Sequence, residues 1–141
     1  EALGKRDLAN KYYELATKGS DDPSGVMYYY DQPADMILYQ GLAYKKLGKT
    51  AEANAKFYKL IDYGEHHIFD NMRKDYFAVS LPDFLIFKDD MNTKNKVHCY
   101  YLIGLGNLGL GNKHEAKLYF NKALELDPNH IDCILYNKML D

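Results

Sequence analysis

The stretch from Val97 to Pro128, VHCYYLIGLGNLGLGNKHEAKLYFNKALELDP, constrains this chain more than any other. Apolar residues recur at helical spacing on both sides of Gly111-Asn112, which predicts two amphipathic helices joined by a tight turn. Pro128 stops the second helix. Two such helices pack closely only where one face lacks bulk, and Gly104 and Ala116 supply that face. Gly inside a helix costs about 1 kcal/mol relative to Ala, so a glycine there implies a neighbour that needs the room. Leu118, Phe120 and Leu124 give the second helix its apolar surface.

This spacing resembles the tetratricopeptide (TPR) repeat, a helix-turn-helix unit of about 34 residues. Gly104, Gly111, Ala116, Phe120, Ala123 and Pro128 match its small, aromatic and closing positions. Tyr100 stands where that family has Trp, and Asn107 where it prefers Tyr. Residues 97–128 are therefore one expected repeat and residues 34–64 another, the latter carrying Ile37, Gly41, Tyr44, Gly48, Ala53 and Phe57 in the same register. In that earlier repeat Leu60 replaces a small residue and Glu65 replaces the proline, so the helix is expected to end at Gly64 as a C-cap. Residues 1–18 repeat the second-helix spacing with Ala9, Tyr13 and Ala16, beside a strip of Leu8, Tyr12 and Leu15. They are expected to be the second helix of a truncated repeat, in a fragment of a longer protein.

The spacing between repeats is irregular. Ala9 to Ala53 is 44 residues and Ala53 to Ala116 is 63, both longer than one repeat. The first excess is a Gly-, Ser-, Asp- and Pro-containing loop over residues 19–33, which carries Tyr28, Tyr29 and Tyr30. Two destinations stand open for those tyrosines: packing over neighbouring helices, or lining a ligand groove. The second excess is an irregular helical insertion over residues 65–96, rich in Phe69, Tyr76, Phe77, Phe84 and Phe87 and too apolar for disorder. One short helix is expected near Asp70–Val79 and a further helical turn from Pro82, ended by Asp89-Asp90. Its words KLIDYGEHHIFD and DYFAVSLPDFLIFKDD resemble a segment of large bacterial proteins in which a β-rich, sugar-related region precedes a C-terminal TPR array. Residues 129–141 predict an amphipathic capping helix with Ile131, Ile134, Leu135 and Met139 along one face.

Composition removes several function classes. A formal net charge of -2, with both signs interspersed, leaves no electrostatic footprint for nucleic acid. No run of about 18 apolar residues offers a membrane span, and EALGKRDLANKYY has no apolar core of the kind a signal peptide needs. The cytoplasm is the expected compartment, and Cys99 and Cys133 are expected to be reduced, buried thiols.

No catalytic constellation emerges. Gly104-Leu-Gly106-Asn-Leu-Gly109 matches a dinucleotide fingerprint literally, but its glycines sit inside a predicted helix, where repeat register explains them. His130 and Cys133 share one helix face and His98-Cys99 lies one repeat earlier, yet a zinc site needs three or four converging ligands. The pair His66-His67 suits a helix C-terminus, and Asp21-Asp22 and Asp89-Asp90 read as solvated turns. No cofactor and no metal are expected.

The fold expected is all-α: a right-handed TPR-like superhelix of antiparallel helix pairs. The resemblance implies a non-catalytic scaffold with a concave groove for a protein or peptide partner, and the residues at its groove positions make that groove mostly apolar. Carried over from the family, the groove positions are Asp35, Leu38, Leu42 and Lys45 in one repeat and His98, Tyr101, Leu105 and Leu108 in the next, with Tyr28–Tyr30 beside them. The alternative is an accessory helical domain packing on a carbohydrate-active or carbohydrate-binding neighbour of the same chain.

Overall fold

Two glycine turns set the architecture. In the computed structural model, which describes residues 5–25, 33–70 and 84–141, Gly48 has φ 76° and Gly111 has φ 87°. Each follows a helix: α2 (Ala34–Lys46) and α4 (Phe84–Leu110), numbered after α1 (Arg6–Ala16) and α3 (Thr50–His67) in chain order. The Gly48 N–H donates to Lys45 O and the Lys49 N–H to Tyr44 O; Gly111 and Asn112 do the same to Leu108 and Asn107. This paired closure satisfies the last helix carbonyls and needs a left-handed residue, which glycine adopts without steric cost. The chain thus turns from α2 into α3, and from α4 into α5 (Lys113–Leu126), in the same way. A last helix, α6, spans Ile131–Met139. No strand occurs among the described residues, and the fold is all-α.

The helices meet where glycines admit them. A Cβ on Gly41 would lie 2.3 Å from the Phe57 ring, and one on Gly109 would lie 2.2 Å from the same ring. Phe57 of α3 is therefore wedged between α2 and α4, with none of its surface exposed. Gly106 brings α4 against the α3 backbone, its absent Cβ falling 2.5 Å from Phe57 O. Gly104 faces the other way and admits the Phe120 ring of α5. The three glycines of the dinucleotide-like motif are packing residues for two different neighbours. Ala53, Leu60, Leu102, Leu105, Ala116 and Ala123 fill the rest of this core, while Leu118 turns outward.

Three expectations need correction. Gly64 does not end a helix: α3 continues to His67, and a Cβ at Gly64 would stand 2.7 Å from Cys99 O, so this glycine marks a close approach of α3 to α4. The end of α3 is held instead by Asn95, whose Nδ2 donates to His67 O at 2.8 Å. Second, Asp89-Asp90 does not stop a helix, because α4 starts at Phe84 and runs unbroken through Val97. Third, the apolar face expected of α6 is mostly exposed. Ile131, Leu135 and Met139 are open to solvent and Ile134 is half-buried, while Cys133 is buried and the Tyr136 ring lies against those of Phe120 and Tyr101. The helix expected near Asp70–Val79 lies, after Asp70, outside the described residues, and Phe69 is exposed.

A strap over residues 17–25 crosses three helices. Gln40 of α2 donates to Ser20 O at 3.0 Å and Lys18 O at 3.3 Å. Asp21 pairs with Lys56 and Lys59 of α3, which hold its carboxyl below the usual range, so this aspartate is no solvated turn residue. His98 of α4 binds Ser24 O.

Gly109→Ala tests the wedge. Alanine favours a helix by about 1 kcal/mol, yet its methyl meets the Phe57 ring, and overpacking of this kind costs about 1–3 kcal/mol. Thermal denaturation of the variant should give a lower midpoint than the parent; a higher one would mean that the ring is not held there.

Candidate functional site

The first helices of the two repeats lie side by side, α2 touching α4 directly, and a tyrosine pair brings α6 to the same side. Tyr39 Oη of α2 and Tyr136 Oη of α6 stand 3.2 Å apart. A cavity of about 850 Å³ opens among the helix ends nearby. The start of α2 gives it Asp35 and Met36, and the corner from α5 into α6 gives it Leu126, Asp127, His130 and Asp132. From α4 come Lys94, Val97, His98 and Tyr101.

Three of the expected groove residues, Asp35, His98 and Tyr101, meet in this cavity. The others have different fates. Leu38 and Leu105 are buried in the core, 1% and 0% exposed, so they are packing residues rather than groove contacts. Leu108 packs against the same core. The Lys45 ammonium donates to Gly109 O at 2.7 Å, over the Phe57 ring, which commits it to the C-terminal end of α4. Leu42 is exposed but does not line the cavity. Tyr28, Tyr29 and Tyr30 lie outside the described residues.

The sequence reading missed Met36, Lys94, Val97, Leu126, Asp127, His130 and Asp132. Lys94 falls within the expected insertion, since its polar surroundings hide the continuity of α4. Asp132 carried a readable signal, an acid in the first turn of a helix.

Local bonding fixes most polar groups of the site. The His98 ring is held below its ordinary pKa, chiefly by burial and further by the nearby His130. Its Nε2 lies 2.9 Å from Ser24 O, a carbonyl that only accepts, so Nε2 carries the proton. His130 caps α6, its Nδ1 accepting from the Cys133 N–H at 3.2 Å, and its ring stands 5.0 Å from that of Tyr101. Asp127 accepts from the Asn129 N–H. The Tyr101 hydroxyl reaches Asp132 at 3.5 Å, and burial pushes that phenol's pKa up. Asp35 is pushed above the ordinary carboxylate range, first by burial and then by the charge of Asp132.

Among the described residues, no group of three or more His, Cys, Asp or Glu side chains is placed to hold a metal. His66 and His67 close the end of α3, bonding Asp62 O and the Asp70 carboxylate. Also among the described residues, no helix is long and apolar enough to cross a membrane.

Comparison with known proteins agrees with the repeat register. Family models described as tetratricopeptide repeat match residues 97–130 and residues 35–63. No solved structure matches the chain at a significant level.

Burial pushes the thiols of Cys99 and Cys133 up to about 12, so both stay protonated at neutral pH. A chromogenic disulfide reagent should leave both unreacted in the folded protein and titrate both in denaturant. Rapid reaction of either under native conditions would contradict the packing of α4 or α6.

Proposed function

We propose that this chain, whose residues 35–63 and 97–130 match family models of the tetratricopeptide repeat, a family generally made of non-catalytic scaffolds that commonly bind protein partners, docks a peptide segment of a partner protein in the cavity bounded by α2, α4 and α6. The observation that carries this reading is the convergence of helix ends from two repeats and α6 on one recess, with apolar walls at Met36, Val97 and Leu126. A recess of that size suits several side chains of a peptide. Its frame is rigid: the glycine-wedged core lies behind it and the Tyr39–Tyr136 pair beside it. Preformed sites of this kind spend less free energy on ordering when a partner arrives.

Peptides selected from a random display library on the immobilised chain give the test. Met36 is 46% exposed at the cavity, and Tyr58, on α3 and away from it, is 52% exposed. Met36→Glu should weaken the selected peptides by about tenfold, whereas Tyr58→Glu should leave them unchanged, both variants melting near the parent as surface substitutions do. Equal binding to the Met36 variant and the parent would contradict the reading.

A further inference from the structure

The cavity has a charge character that the repeat register does not require. Among the described residues lining it stand three carboxylates, Asp35, Asp127 and Asp132, against one lysine, Lys94. Asp127 accepts from the Asn129 N–H, Asp132 from the Tyr101 hydroxyl and Asp35 from backbone N–H groups at the start of α2. Asp35 and Asp132 line one cavity from different helices, and the charge of Asp132 disfavours ionisation of Asp35. Burial acts on Asp35 in the same direction and more strongly. Beside the pair stand the rings of Tyr101 and His130, 5.0 Å apart. A pair of carboxylates on a cavity wall attracts a cation by direct charge and accepts charge-assisted hydrogen bonds from it.

Resting on the docking reading above, we propose that the occupant of this cavity is a peptide segment carrying a lysine or arginine flanked by apolar residues, its cationic head set between Asp35 and Asp132 and its neighbours against Met36, Val97 and Leu126. The long aliphatic stem of either side chain suits apolar walls that end in a charged pair. An acidic or phosphorylated segment would meet like charge instead, a juxtaposition that rejects partners.

A purely structural role for Asp35 makes the opposite stability prediction. An acid in a first helical turn usually stabilises the helix through its dipole. Here burial and Asp132 oppose the charged form, so the folded-state pKa lies above the unfolded one. Ionisation at neutral pH therefore works against folding, and removing the charge relieves it. Asp35→Asn should raise the melting temperature at pH 7, and a fall would assign Asp35 to the helix rather than to a ligand.

The binding arm uses the random-peptide display library with the parent chain and with the Asp35→Asn/Asp132→Asn double variant. Peptides selected by the parent should be enriched in lysine or arginine at one position between apolar residues. Replacing that arginine by its neutral isostere citrulline should weaken binding to the parent by about tenfold and change binding to the double variant little. Selected peptides that compete at Met36 but show no basic enrichment, or no citrulline effect, would overturn the charge proposal and leave the docking site standing. Peptides indifferent to Met36→Glu, or no selectable peptide at all, would overturn both.

Discussion

The ring of Phe57 holds this molecule together. It sits between two glycines on two helices, Gly41 on α2 and Gly109 on α4, and any side chain at either would occupy its space. Because an aromatic ring fills the gap, one side chain of α3 touches both α2 and α4. Phe120 and Gly104 make the same kind of contact between α5 and α4. Protein interiors are close-packed, so such interlocking contacts allow little sliding of one helix on the next. The second helices are thus locked in place from within, while the starts of α2 and α6 and the flank of α4 converge on one recess.

Much of this was legible in the sequence because glycine, alanine and phenylalanine at fixed spacing have few other uses. Gly41, Gly48, Ala53, Phe57, Gly104, Gly111, Ala116 and Phe120 each have the packing or turn role their position implied. Gly64 misled because a glycine near a helix end satisfies two rules at once, the C-cap and the close approach. Only the position of Cys99 and Ile103 on a different helix decides between them. The continuity of α4 was hidden for another reason. FKDDMNTKNK has the composition of a loop, but Asn95 within it caps α3 from the side, a tertiary bond with no trace in local spacing.

The recess was half legible. Of the positions carried over from family register, Asp35 at the start of α2 and His98 and Tyr101 on the flank of α4 line it. The same register placed Leu38 and Leu105 in a groove, where the core claims them. Tyr101 is both floor and core, since α6 lays His130 and Tyr136 against its ring. Helix α6 therefore does more than end the array. It supplies a wall of the recess and the charge of Asp132, while leaving Ile131, Leu135 and Met139 exposed on its far side.

The account depends on the Phe57 wedge, and that contact is directly observable in solution. A nuclear Overhauser spectrum of the protein should give cross-peaks from the Phe57 ring protons to the Hα protons of both Gly41 and Gly109, which sit on helices far apart in the sequence. Ring-current shifts of those glycine protons should accompany the cross-peaks. Cross-peaks to one glycine alone, or to neither, would mean that α2 and α4 are not clasped by one ring, and the recess between their ends would lose its frame.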